Sequence, residues 1–132
     1  MTKKIQDVIN QALYGTPEVL PEERAIFLTT ISERIYLALT KRQVIQTGIY
    51  TEAQQMMENE ADLHLYLNGH LSYQQYAHYL QKANDLRIPF TIVSPNKPTP
   101  IGLVLANPKE AIERQSIFVE DEFFKADMKG GQ

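Results

Sequence analysis

Three short polar segments contain the residues that are best suited to chemistry. They are 40–43 (Thr-Lys-Arg-Gln), 68–70 (Asn-Gly-His) and 94–97 (Ser-Pro-Asn-Lys). Their hydroxyl, amide and cationic groups favour a small anionic or hydroxylated ligand, because such a ligand accepts hydrogen bonds and carries negative charge. The alternative is that these segments are ordinary loops, which are polar because they run through solvent. The candidate ligand-binding residues are Thr40, Lys41, Arg42, Asn68, Gly69, Ser94, Asn96 and Lys97.

No other group of residues predicts a catalytic or metal site. His64, His70 and His78 lack the i, i+4 spacing of helical metal ligands and match no compact metal motif. The acidic runs 58–62 and 120–122 are typical of solvated helix and strand ends, and nothing in the pattern indicates that one of these carboxyls is buried. No serine lies in a nucleophile-elbow sequence, and there is no glycine-rich phosphate loop. We therefore predict no catalytic residue, no metal and no cofactor.

The elements that must position the three segments can be predicted from the spacing of apolar residues. Apolar or alternating runs predict strands over 34–40, 62–68, 90–93, 101–106 and 116–119. Helical spacing predicts a short N-terminal helix over 3–13 and another helix that begins at Pro21. Capping-box sequences predict helices that begin near Thr51 and Ser72. Residues 123–132 are expected to form a frayed tail, since the chain ends in Lys-Gly-Gly-Gln.

The order of these elements predicts a mixed α/β (α+β) fold, a single domain over 1–132 with a β-α-β-α-β-β core behind extra N-terminal helices. Strands that are joined through helices pair in parallel, whereas the short connection 94–100 predicts an antiparallel fourth strand. In open α/β sheets, ligands bind beyond the carboxyl ends of the parallel strands. Because the three polar segments follow the first three strands, we expect them to share one edge of the sheet.

Composition limits the class of protein. A chain of 132 residues with 43% hydrophobic and 22% charged residues suits one globular domain. It contains no cysteine, which excludes disulfides and thiolate zinc sites and fits a reducing, cytoplasmic location. A net charge of −3 argues against a nucleic-acid partner. No apolar run has the length of a signal-peptide core or a membrane span, so no association with a membrane is expected.

Several stretches, taken in order, resemble the YueI family of low-GC Gram-positive bacteria. They are Pro-Glu-Glu-Arg at 21–24, Leu-Ala-Leu-Thr-Lys at 37–41, Asn-Gly at 68–69, Tyr-Gln-Gln-Tyr at 73–76, Pro-Phe at 89–90, Ile-Val-Ser at 92–94 and Thr-Pro-Ile-Gly at 99–102. The resemblance covers nearly the whole chain, from about Tyr14 to Asp121. It implies a core like that of the Bacillus-type chorismate mutases, with a mixed sheet whose last core strand is antiparallel. The family is one of unknown function, so the resemblance implies no catalytic residues.

Three hypotheses of function remain open. The first is a non-catalytic ligand-binding or regulatory module that holds a small anion at the strand ends. The second is a cofactor-free enzyme for a small anionic metabolite at a subunit interface, which requires a strongly shifted pKa in a cleft. The third is an RNA-associated protein, which requires a basic face on one side. A homo-oligomer fits the first two, and the tyrosines at 73, 76 and 79 are a candidate interface.

Overall fold

The structure, a computed structural model, describes residues 24–113 and 116–130. The predicted helix 3–13 and the helix start at Pro21 lie outside these residues. Residues 24–26 are helical, and a 3-10 turn follows at Ser32–Arg34. The strands are β1 Ile35–Thr40, β2 His64–Asn68, β3 Phe90–Val93 and β4 Ile101–Ala106. The helices are α1 Lys41–Val44, α2 Thr51–Asn59, α3 Tyr73–Asp85 and α4 Glu122–Gly130.

The four strands form one mixed sheet in the order β1-β4-β2-β3. β4 pairs antiparallel with both of its neighbours, and β2 pairs in parallel with β3. It follows that β1, β2 and β3 run in one direction while β4 runs in the other. The predicted mixed sheet with an antiparallel fourth strand is confirmed. A short loop joins β3 to β4, yet β4 lies between β1 and β2, with Leu103 opposite both Leu39 and Leu67.

Side chains alternate between the two faces of the sheet, and each face is covered by different elements. One face presents leucines from β1, β2 and β4, which pack against α2 and α3. The other face presents Ala38, Val104 and Ala106, which pack against residues 26–28, Phe118 and α4. Every residue of β4 is buried, as expected for a central strand that is covered on both sides.

Two predicted features at the C-terminal end are wrong. The first is the tail 123–132, of which residues 123–130 belong to α4, and Phe124 and Met128 of this helix lie one turn apart and are buried against the sheet. The predicted strand 116–119 is reduced to a single bridge between Phe118 and Ala38. The Ala38 N–H donates to the Ile117 carbonyl at 2.6 Å, and both Ile117 and Phe118 are buried.

Candidate functional site

The carboxyl ends of β1, β2 and β3 lie at one edge of the sheet, which we call the carboxyl edge. The segments 40–43, 68–70 and 94–97 follow these three strands, and the amino end of β4 lies between the first two. Thr40 and Val93 are three strands apart, which corresponds to about 14 Å at the usual strand spacing. A single small ligand would therefore not contact all three segments, and each must be considered separately.

At the end of β1, Thr40 and Gln43 form a capping box for α1. The Gln43 backbone N–H donates to Thr40 Oγ1 at 3.4 Å, and the Thr40 N–H donates to Gln43 Oε1 at 2.9 Å. Both residues are fully buried. The Thr-x-x-Gln spacing is a known capping signal, so the sequence contained this information. Thr40, a predicted ligand residue, is used to start a helix instead.

Arg42 already has an anionic partner within the chain. The carboxylate of Asp127 on α4 accepts from the Arg42 backbone N–H at 2.8 Å and from Nε at 2.9 Å. The side chain of Arg42 is 61% exposed and that of Asp127 is 13% exposed. The negative charge that segment 40–43 was predicted to bind is thus supplied by the chain itself, from a helix that the sequence did not predict.

A cluster of titratable residues lies between α1, the start of α2 and the start of α4, and sequence analysis did not identify it. Asp121 accepts from the Tyr50 hydroxyl at 2.5 Å and from Gln43 Nε2 at 3.0 Å. It also caps α4, since the Phe124 N–H donates to it at 2.9 Å. The hydroxyl of buried Tyr79 completes the cluster by accepting from the Tyr50 N–H at 3.0 Å. These contacts fasten α4 to α1 and α2.

The pKa values in this cluster move away from neutrality. Burial raises the pKa of Tyr79 to about 12. Burial, helped by the hydrogen bond to Asp121, also raises the pKa of Tyr50. Burial alone would raise the pKa of Asp121, but its hydrogen bonds, that from Tyr50 first, outweigh burial and lower it. At neutral pH the tyrosines are therefore protonated and Asp121 is ionised, with its oxygens occupied.

At the end of β2, the side chain of Asn68 is also used internally. Asn68 is fully buried, and its Nδ2 donates to the Ile101 carbonyl at 3.0 Å. Its Oδ1 accepts from the His70 N–H at 2.8 Å, which closes the turn after the strand. These bonds join the end of β2 to the start of β4, so Asn68 shapes the edge and does not face it.

Gly69 brings the ends of β2 and β3 close together. Its N–H donates to the Val93 carbonyl at 2.7 Å. A Cβ at this position would lie 3.1 Å from Ile92 Cγ2 and 3.2 Å from Ser94 Oγ, so a larger side chain has no room. The Ser94 hydroxyl therefore lies directly beside the backbone of the Gly69 turn.

Four of the predicted ligand residues keep polar groups available. Lys41 is half-buried, and Ser94, Asn96 and Lys97 are exposed. Within the part of the chain that the structure describes, none of these side chains forms a hydrogen bond or ion pair. Three of them follow β3, and the first, Ser94, lies beside Gly69. We call Gly69, His70, Ser94, Asn96 and Lys97 the β2–β3 rim.

The histidines do not form a metal site. His64 Nε2 lies 2.7 Å from Thr91 Oγ1, and burial lowers the pKa of this histidine. His70 lies in the turn after β2, and His78 is on α3. Among the described residues, no three His, Asp or Glu side chains are grouped closely enough to hold a metal ion. In the same residues, no helix has the length and hydropathy needed to cross a bilayer.

Comparison with known proteins gives a consistent result. Residues 2–118 match the model of a family described as "Protein of unknown function (DUF1694)". The chain is 38% identical over 122 residues to the uncharacterized protein YueI of Bacillus subtilis (strain 168), an alignment that covers 92% of each protein. The crystal structure of YueI from Bacillus subtilis superposes with a TM-score of 0.83 at 36% identity, over 92% of this chain and 98% of that one.

Proposed function

The chain belongs to the DUF1694 family of proteins of unknown function, and we propose that it is a non-catalytic module that binds a small anion at the β2–β3 rim. The observation that carries this proposal is the contrast between the two halves of the carboxyl edge. Around β1, the polar groups of Thr40 and Arg42 are already paired within the chain. After β3, the hydroxyl, amide and ammonium groups of the predicted site have no partner among the described residues.

The distribution of charge supports an anionic ligand at this rim. Residues 63–109, which include β2, α3, β3 and β4, contain one acidic residue, Asp85, and four lysines or arginines. Of these cations, Lys82 is paired with Glu58 at 3.0 Å, and Arg87 and Lys109 lie towards the opposite edge of the sheet, so Lys97 is the cation of this range that lies at the rim. A local positive field raises the concentration of anions near the surface and increases their rate of association.

The groups at the rim also have suitable chemistry. The Ser94 hydroxyl and the Asn96 amide can donate hydrogen bonds in fixed directions, while Lys97 supplies positive charge. A carboxylate or phosphate group of a small metabolite matches this set of donors.

The enzyme hypothesis receives less support. It requires a shifted pKa that brings an acid or base towards the working pH. The shifts at the carboxyl edge run the other way, since the pKa values of Tyr50 and Tyr79 are raised and that of Asp121 is lowered. The RNA hypothesis is weakened by Arg42, whose guanidinium faces Asp127 and not a free basic surface.

A thermal-shift titration with phosphate, pyrophosphate and citrate tests the proposal. An anion at about 100 times its Kd stabilises the native state by about 2.7 kcal/mol, which is readily measured as a rise in Tm. We expect at least one of these anions to raise the Tm of the wild type. Replacement of Lys97 by alanine is expected to reduce this rise, because it removes an ammonium group from the rim.

Lys109→Ala is the matched control. Lys109 is an exposed lysine that follows β4 and therefore lies at the opposite edge of the sheet. The proposal predicts that K109A keeps the wild-type response. An equal loss in K97A and K109A would indicate a general ionic effect and would contradict a site at the rim. A wild-type Tm that none of the three anions changes would contradict it as well.

A further inference from the structure

Exposed apolar side chains are concentrated on one side of the molecule. Of the five large hydrophobic side chains that are exposed among the described residues, Phe90 and Ile92 belong to β3 and Tyr73 and Leu86 lie at the two ends of α3. The fifth, Ile45, follows α1. Phe90 and Ile92 pair with Leu65 and Leu67, so they lie on the same face of the sheet as α3. β3 therefore presents two exposed apolar side chains on the face of the sheet that carries α3.

The backbone of β3 is also unpaired on its outer side. Among the residues that the structure describes, β3 is the last strand of the sheet and pairs with β2 alone. The Pro89 carbonyl accepts from the Leu65 N–H and the Val93 carbonyl accepts from the Gly69 N–H. In a parallel ladder, every second residue of a strand bonds to the same neighbouring strand. Since Pro89 and Val93 bond to β2, the N–H and C=O groups of Phe90 and Ile92 point away from β2. None of the described residues pairs with these groups.

Apart from its short length of four residues, this edge carries few of the features by which proteins usually protect an exposed strand. The segment 88–94 contains no charged residue, and β2 and β3 pair without a bulge. Pro89 lies just before the strand and not within it. Natural edge strands normally carry a lysine, a proline or a bulge to prevent pairing with another chain. An unprotected edge with apolar side chains is typical of a strand that does pair.

We propose that β3 pairs with β3 of a second copy of this chain, antiparallel and about a two-fold axis that passes through Thr91. The register follows from the outward groups. With the axis at Thr91, Phe90 of each copy lies opposite Ile92 of the other, and these residues exchange N–H···O=C bonds in both directions. The two sheets become one sheet of eight strands, and four backbone hydrogen bonds link the copies.

The strand is complementary to itself, which favours a second copy over another protein. Residues 90–92 have the order apolar, Thr, apolar in either direction along the strand. A two-fold axis through Thr91 therefore puts the apolar side chains of both copies on one face of the joined sheet and the two threonines on the other. Phe90 and Ile92 of both copies meet on the face of the sheet that carries α3. The contact is small, so we expect a dimer that forms at micromolar concentrations.

The dimer would leave the anion site of each copy intact. An antiparallel pairing directs the carboxyl edges of the two copies in opposite directions, so neither rim contributes to the other. Dimerisation and anion binding can therefore fail independently, and separate measurements distinguish them.

Ile92→Lys and Ile45→Lys are matched variants that test the interface. Both isoleucines are exposed to nearly the same degree, 44% and 43%. In analytical ultracentrifugation we expect the wild type, of 15.1 kDa per chain, and I45K to sediment with twice the monomer mass. I92K is expected to remain a monomer, because its ammonium group would lie inside the apolar contact. A monomeric wild type at high micromolar concentration, or equal behaviour of I45K and I92K, would overturn the proposal.

Cysteine crosslinking tests the register and does not depend on a destabilising variant. The chain contains no cysteine, so Thr91→Cys introduces a single thiol. In the proposed register the two residues at 91 form a non-hydrogen-bonded pair with Cα atoms about 4.5 Å apart, within the range of a disulfide. T91C should form a covalent dimer under mild oxidation, and K109C, with its thiol at the opposite edge of the sheet, should not. Crosslinking of K109C at the rate of T91C, or none in T91C, would exclude this pairing.

Discussion

Replacement of Asn68 by alanine separates a structural role from a ligand-binding role. The side chain is fully buried and forms two hydrogen bonds, to the Ile101 carbonyl at 3.0 Å and from the His70 N–H at 2.8 Å. Each such bond contributes about 0.5–1.5 kcal/mol net, and a buried group left without a partner costs about 1–3 kcal/mol. The Ile101 carbonyl would lose its bond within a buried strand, whereas the His70 N–H is in a turn and can reach water. We expect N68A to lower the free energy of unfolding by about 2–4 kcal/mol.

Urea denaturation measures this loss. With an m-value of about 1–3 kcal/mol/M, the midpoint should fall by about 1–2 M. Asn96→Ala is the control, because Asn96 is exposed and such changes usually stay within about 0.5 kcal/mol. A loss below about 1 kcal/mol in N68A, combined with weaker anion binding at an unchanged fold, would refute the structural role. This outcome would support Asn68 as a ligand-binding residue, as the sequence predicted.

Two further predictions concern the packing of α1 and the cluster behind it. Gly102→Ala should lower stability by about 1–3 kcal/mol in urea, because the added Cβ would lie 3.1 Å from the backbone Cα of Lys41. Tyr79→Phe should cost about 1–2 kcal/mol near pH 8, since it leaves the Tyr50 N–H without its acceptor, whereas Tyr73→Phe, at an exposed position, should cost little. Burial raises the pKa of Tyr79 to about 12, so its contribution is complete below the unfolded value near 10 and is lost as the pH rises through 12. The stability gap between wild type and Y79F should therefore narrow by up to about 1.4 kcal/mol per pH unit above pH 10, and a constant gap would contradict the shift.

The central elements of the fold could be predicted because their patterns are local. The bounds of β3 and β4 match the apolar runs 90–93 and 101–106, and α3 begins directly after Ser72 as its capping box predicts. The antiparallel direction of β4 followed from the length of the connection 94–100. The position of β4 between β1 and β2 did not follow from any local pattern, because strand order depends on which faces bury each other.

The elements that were predicted wrongly depend on contacts between distant parts of the chain. The sequence around residue 123 contains helix signals, namely the N-cap Asp121 and the helical spacing of Phe124 and Met128. The position of α4 in the fold, however, depends on Asp121 and Asp127, which bond to residues some 80 positions earlier. Helix formation in a short segment is marginal without such tertiary packing. The segment 116–119, predicted to be a strand, forms a single bridge with β1, and its Ile117 and Phe118 pack in the core with Ala38.

The sequence by itself determined that three polar segments follow three strands, because the end of a strand and the polarity of a loop depend on residues that are close together in the sequence. Only the tertiary structure decided which of their groups remain available. Thr40, Arg42 and Asn68 have the same chemistry as Ser94, Asn96 and Lys97, but the first three are paired with Gln43, Asp127 and Ile101. A polar side chain can bind a ligand only if the fold has not already given it a partner, and partners are assigned by proximity in space.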